Sequence, residues 1–342
     1  GLMYAYQENV PHDFQKSIYY LTLAAKNNYL NAIFELGILY YYLKDIKNAI
    51  YYLKIASDNN QSDAGLILGN IYFHNNDIDN AMIYYKKSSD QNNSLAQVFF
   101  GNCILLKNRY NEKEAIDYFT LAAKQNDPIG QFCLGSLYYN CFYIPKDISK
   151  SIYYLTLSAN QNNSDAQELL GKIYLNDFKK NNNINKSIYY FNLASNQNNP
   201  VATFFLGYIY YKKEYQKYDI NKSLYYLKLS ANRGNSNAQA LLGKHFHPAY
   251  DGKSINESIY YLTMSAEKKN LLAGFILGYT YYKGAYVKQD VNKALYYFTL
   301  SEKNCFSQYF LGEIYFDGIF VKKNISKAIH FWKESSCLNS IN

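Results

Sequence analysis

Histidine and cysteine side chains could hold a metal or act as nucleophiles, and here they are few. His245-Phe246-His247 is the one close histidine pair. On a helix, residues i and i+2 point ~200° apart, and Pro248 ends a helix there. The pair therefore predicts a loop in which one His replaces an aromatic, rather than half of a metal shell. The five cysteines, Cys103, Cys133, Cys141, Cys305 and Cys337, form no Cys-x-x-Cys and keep no fixed place in the periodicity described below. They read as small buried thiols of a reducing, intracellular compartment, not as a disulfide framework or a zinc site. Carboxylates such as Asp77 and Asp79, or Glu112 and Glu114, fall in connections and at helix starts, where a solvated cap is the expected role. No Gly-rich phosphate loop, Gly-x-Ser-x-Gly or His-Glu-x-x-His occurs. These patterns predict no catalytic residue, no cofactor and no metal.

What does recur is a pair of motifs. Leu-Gly-x-x-Tyr repeats with its glycines at Gly37, Gly69, Gly135, Gly171, Gly207, Gly243, Gly278 and Gly312, with Phe-Gly at Gly101, at spacings of 32 to 36 residues. Gly1 with Tyr4 fits the same register, which reads as a chain opening inside a repeat, a fragment. A second motif follows each glycine by 12 to 16 residues: a polar residue, a small one, an aliphatic, an aromatic pair and two small residues, as in Lys150-Ser151-Ile152-Tyr153-Tyr154 with Ser158-Ala159. Its ten copies are headed by Ser17, Ala49, Ala81, Ala115, Ser151, Ser187, Ser223, Ser258, Ala294 and Ala328.

The spacing is helical. A small residue stands five before each glycine (Ala32, Ala64, Ala166) and Tyr stands three after, close to a period of 3.6. In the second motif Ala49, Tyr52, Leu53 and Ala56 share one helix face. Glycine inside a helix costs about 1 kcal/mol relative to Ala, so its recurrence predicts a partner helix too close to admit a Cβ. Polar joints such as Asp58-Asn59-Asn60-Gln61-Ser62 separate the copies and offer Ser or Asp as N-caps. The unit is a helical hairpin, and the copies in series predict one continuous solenoid. Approximate repeats span 1–27 (partial), 28–60, 61–92, 93–126, 127–162, 163–198, 199–234, 235–269, 270–304 and 305–342.

These residues resemble the Sel1-like repeat family, relatives of the tetratricopeptide repeat. The best matches are Lys283-Gly284-Ala285-Tyr286-Val287-Lys288-Gln289-Asp290-Val291-Asn292-Lys293-Ala294 and the stretch from Asp317 to Ala328, which look like the family's Gly-x-x-Val-x-x-Asp-x-x-Lys-Ala connection. The copies headed by Gly37, Gly69 and Gly101 depart from it, with connections two to four residues shorter. The resemblance implies an all-α fold, a right-handed superhelical solenoid of about ten stacked antiparallel hairpins (an α/α superhelix). It also implies a non-catalytic interaction scaffold or adaptor, of the kind found in signalling, membrane-protein quality control or microbe–host contact. Cysteine-rich members carry a periodic disulfide that this chain lacks, which disfavours a hydrolase of that type.

In such solenoids the first helix of each hairpin lines the concave groove, where an extended peptide or a partner helix would lie. Positions one and four after each glycine would face it. The expected peptide-binding residues are Tyr41, Asn70, Phe73, Asn102, Tyr139, Lys172, Tyr208, Tyr211, Lys244, Tyr279, Tyr282 and Phe316. The fourth position carries recurring aromatics that form either a Tyr-rich binding strip or packing for the neighbouring hairpin. In the second helix, Tyr19, Tyr51, Tyr153, Tyr189, Tyr225, Tyr260 and Tyr296 lie opposite the core stripe and predict a partly exposed convex row.

Composition narrows the partner. Tyr and Asn number 41 each in 342 residues, and of the 35 basic residues only Arg109 and Arg233 are arginine. The net charge of +8 reads as solubilising lysine scattered evenly along the chain. Near-absence of Arg argues against a helical-repeat RNA binder, the alternative reading. No apolar run reaches 18 residues, so no membrane insertion is expected. The expected partner is a protein or peptide, with no nucleic acid.

Overall fold

The computed structural model describes residues 13–140, 145–177, 183–250, 252–319 and 321–335. Gly1, Tyr4, Cys141 and Cys337, which entered the repeat register and the cysteine count, lie outside them. Nineteen α-helices and no strand occur among the described residues. They gather into two compact units, Gly1–Leu170 and Gly171–Asn342.

The first unit holds α1 (Phe14–Lys26), α2 (Leu30–Tyr42), α3 (Ile46–Asp58), α4 (Ser62–His74), α5 (Ile78–Asp90), α6 (Ser94–Lys107), α7 (Glu112–Lys124), α8 (Pro128–Asn140), α9 (Ile148–Asn160) and the start of α10 (Ser164–Asn176). The second holds the rest of α10, then α11 (Asn183–Asn196), α12 (Pro200–Tyr211), α13 (Ile220–Asn232), α14 (Ser236–Phe246), α15 (Ile255–Glu267), α16 (Leu271–Lys283), α17 (Val291–Leu300), α18 (Cys305–Asp317) and α19 (Ile325–Glu334). Even-numbered helices carry the glycine motif and odd-numbered ones the second motif. Consecutive helices from α1 to α9 and from α11 to α19 pack on one another, and some glycine helices of successive hairpins also touch, as α6 does α8 and α14 does α16.

Close approach explains the glycine. A Cβ on Gly135 would lie 2.8 Å from Leu155 Cγ, and one on Gly207 2.7 Å from Leu227 Cγ. The side chain four after each heading small residue fills the site of the missing Cβ, and in other copies it is Tyr85, Phe119, Phe191, Phe298 or Trp332. The heading small residues are themselves buried, and Ser187 and Ser223 donate to the carbonyls of Gly171 and Gly207 at 2.8 and 2.9 Å. Further along, Ser158 and Ser230 reach the carbonyls of Pro128 and Pro200 at 2.6 Å. Each such bond ties the far end of a second helix to the start of its own first helix.

The aromatic pair divides its labour. Its second member stacks on the Tyr three after the glycine: Tyr52 on Tyr40, Tyr84 on Tyr72, Tyr190 on Tyr174 and Tyr226 on Tyr210, all within 8° of parallel. The preceding Lys of the motif caps that sandwich, with Lys150, Lys186 and Lys222 Nζ 5.2–5.5 Å from the rings of Tyr138, Tyr174 and Tyr210.

The joints use Asn for a reason that a cap list misses. Asn60, Asn92, Asn126, Asn162 and Asn198 all take positive φ, 61° to 66°. Asn tolerates this left-handed conformation better than other side-chain-bearing residues. At Asn60 the geometry is a Schellman stop, with Gln61 N–H donating to Ala56 O and Asn60 N–H to Ser57 O. The expected Ser caps are corrected here: Ser62 and Ser164 are already inside α4 and α10, and Asn93, Asn163, Asn235 and Asn270 cap the first helices instead. Asp45, Asp147, Asp219 and Asp290 cap the second helices as expected. Glu112 also departs from expectation. The 3-10 turn Arg109–Asn111 leads directly into α7, and Glu112 is buried in its first turn.

Candidate interaction faces

The expected face is built by the exposed side of the glycine helices. In the first unit Asn70 and Asn102 are half-buried at the position after the glycine, while Tyr41 and Phe73 are exposed. Asn70 is held: Tyr85 Oη donates to its Oδ1 at 2.7 Å. Tyr139 lies under Lys146 Nζ, 4.0 Å from the ring centroid.

In the second unit the same positions become aromatic and basic. Lys172 Nζ sits 5.5 Å from the Phe205 ring, Lys212 5.5 Å from Tyr208, and Lys244 4.8 Å from Tyr250. Lys283 lies over both Tyr279 and Tyr282. Tyr211 meets His245 edge-on, and Tyr282 packs on Phe298 and Phe310. Phe316 is exposed on one side and packs on Trp332 on the other. These aromatics therefore serve both as surface and as packing. Two members of the fourth-position series leave the surface altogether: Leu175 joins the core around Phe191 and Leu206, and His247 is buried.

His247 closes α14 as its C-cap rather than standing in a loop by itself. Ala249 N–H donates to Nδ1 at 3.1 Å, so Nδ1 is unprotonated, and Nε2–H lies 2.9 Å from Thr280 Oγ1. Thr280 in turn donates to Ile276 O. Burial pulls the pKa of His247 below its ordinary value, and the same holds for His245. This is a neutral, structural histidine. No cluster of three or more metal-ligating side chains occurs among the described residues. Cys103 is buried and its thiol is pushed up to about 11, and Cys133 up to about 12, by burial. Both are protonated and poor nucleophiles at neutral pH. No described helix is long and apolar enough to cross a membrane.

The family model of the Sel1 repeat matches ten segments: residues 1–29, 30–61, 69–93, 96–127, 128–163, 164–199, 200–235, 236–270, 273–303 and 305–340. The chain belongs to the Sel1 repeat family.

Two solved structures share the Sel1 repeat architecture. One is c5321, a protective antigen of uropathogenic Escherichia coli strains displaying an SLR fold. It is 24% identical over 98% of this chain and 74% of that chain, with a TM-score of 0.69. The other is a Sel1 repeat protein from Oxalobacter formigenes, 22% identical over 85% of this chain and 87% of that chain, with a TM-score of 0.66. These likenesses establish the fold. No curated protein sequence is significantly similar to the chain. Sel1 repeat proteins are in general helical-repeat scaffolds for protein interaction rather than enzymes.

One feature of these Sel1 repeats was expected and another went unread in the sequence. The expected row is exposed, with Tyr19, Tyr51, Tyr153, Tyr189, Tyr225, Tyr260 and Tyr296 all 55–64% exposed. Each lies edge-on to the stacked Tyr that follows it, as Tyr153 does to Tyr154. And the charge is not evenly spread. Residues 1–170 carry 13 Lys and Arg against 16 Asp and Glu, whereas residues 171–342 carry 22 against 11. Cations rise and carboxylates fall from the first half to the second, and the imbalance emerges only when the chain is divided where the units divide.

Proposed function

We propose that this Sel1 repeat protein is a non-catalytic scaffold that holds a peptide segment or a protein surface along the exposed face of its glycine helices. The binding residues in this reading are the twelve named from the sequence, from Tyr41 to Phe316. Its partner is a protein or peptide, with no nucleic acid, no cofactor and no inserted membrane segment.

One observation supports the reading above the rest. All twelve positions keep part of their side-chain surface in solvent, on helices whose remaining faces are committed to neighbouring hairpins. Tyr and Phe so placed offer large contact area at low rotamer cost.

The test is affinity capture from the native cell with the wild-type chain and with the triple variant Tyr41→Ser, Phe73→Ser, Tyr279→Ser. The expected result is loss of the captured partners with unchanged helicity by circular dichroism. Capture that survives intact would place the interaction on another face.

A further inference from the structure

The glycine-helix face of the second unit differs in chemistry from that of the first. At the position after the glycine the series reads Lys172, Tyr208, Lys244, Tyr279. Where that position is Tyr, a lysine stands four residues on: Lys212 beyond Tyr208 and Lys283 beyond Tyr279. Four consecutive repeats thus each present one lysine on this face, and two of them add an aromatic pair beside it, Tyr208 with Tyr211 and Tyr279 with Tyr282. The corresponding positions of the first unit, Ile38, Asn70, Asn102 and Ser136 with Tyr42, His74, Leu106 and Asn140, hold no lysine. Ring contacts link successive repeats of the second unit: Lys172 over Phe205, Tyr211 against His245, His247 against Tyr286, and Tyr279 against Phe310. This strip of lysines and aromatics also lies in the half of the chain with twice as many cations as carboxylates.

Resting on the scaffold reading, we propose that this strip binds an extended acidic peptide segment bearing apolar side chains between its carboxylates. Charge complementarity selects the sign. Spacing selects the form: packed helices lie ~10 Å apart, and a polyproline-II chain turns once every three residues with a rise of ~3.1 Å each. A carboxylate at every third residue therefore meets one lysine per repeat, and the intervening apolar side chains meet Tyr208, Tyr211, Tyr279 and Tyr282. A single-stranded nucleic acid fits less well. It needs open ring faces for stacking, and here lysine ammonium groups lie over Tyr208, Tyr250, Tyr279 and Tyr282.

The test is fluorescence anisotropy with the full chain and labelled synthetic peptides. The probe has Asp or Glu at every third position with Leu and Pro between. Its controls are a peptide with Lys at those positions, a peptide with the acids at every second position, and an oligo-uridine of equal charge. The expected result is saturable, salt-sensitive binding of the probe alone, weakened about tenfold by Lys172→Gln with Lys244→Gln. Lys172→Arg with Lys244→Arg should retain it. Equal binding of the Lys peptide, tighter binding of the oligo-uridine, or no effect of the Gln pair would each overturn the proposal. So would salt-sensitive self-association of the chain that the Gln pair abolishes, since a second copy would then be the occupant. If the probe fails while native partners are still lost from the Tyr41, Phe73, Tyr279 variant, the acidic ligand falls and the scaffold stands.

Discussion

Tyr85 donates its phenolic hydrogen to Asn70 across the α4–α5 hairpin, at 2.7 Å, while its ring fills the space a Cβ on Gly69 would need. One side chain thus closes the hairpin and fixes a residue of the proposed binding face. Replacing Tyr85 by Phe keeps the ring and removes the hydrogen bond. Urea unfolding should show a loss of about 1 kcal/mol. Gly69→Ala forces the ring itself to move and should cost about 1–3 kcal/mol, so the two variants rank in that order.

The exposed and stacked members of the aromatic pair should respond differently to the same change. Tyr153 is 59% exposed, and Tyr153→Ser should alter stability by no more than about 0.5 kcal/mol. Tyr154 lies stacked on Tyr138 beneath Lys150, and Tyr154→Ser should cost about 2 kcal/mol. Equal effects would mean that the convex ring, too, is structural.

Positive φ makes another prediction. Lys44 and Lys269 occupy left-handed positions that Asn fills in most other joints, at φ 62° and 59°. The left-handed region costs about 1–2 kcal/mol for a side-chain-bearing residue. Lys269→Gly should therefore raise stability by up to about 1 kcal/mol, measured by thermal melting, whereas Asn162→Ala should lower it by a similar amount.

The buried histidine gives a pH dependence with a definite sign. His247 and His245 both have folded pKa values lowered by burial, so the unfolded chain takes up protons that the folded chain refuses. Stability is full above the unfolded value of about 6.5. It falls as pH drops from there towards the lowered folded value, where the slope flattens. His247→Phe should flatten this profile. It should also lower stability at neutral pH, because Ala249 N–H and Thr280 lose a partner. A profile unchanged by the substitution would show that other groups set it.

Much of the fold was legible because its causes are local and repeated. Glycine at a fixed place predicted a close approach, and Leu155 and Leu227 supply it. The exposed Tyr row followed from helix angle alone. What escaped depends on neighbours. Nothing in the period says that Leu175 or His247 turns inward, because each is buried by a connection or by the next hairpin. The conformational role of Asn60 and Asn162 was readable in principle from their place after each helix. It was obscured because Asn is abundant throughout the chain. On the binding face, which residues qualify followed from the repeat, but the difference between the two units required knowing where one ends.

The side-chain bonds that tie hairpins together span short stretches of chain, such as 33 residues for Ser94 to Asp127 and 38 for Arg233 to the Ser195 carbonyl. A native state assembled from such near-neighbour ties has low contact order and can grow from any point. As the polypeptide leaves the ribosome, each hairpin has its partners as soon as the next one emerges. Shortening the protein from its C-terminus should therefore remove whole hairpins in turn, leaving those already made standing.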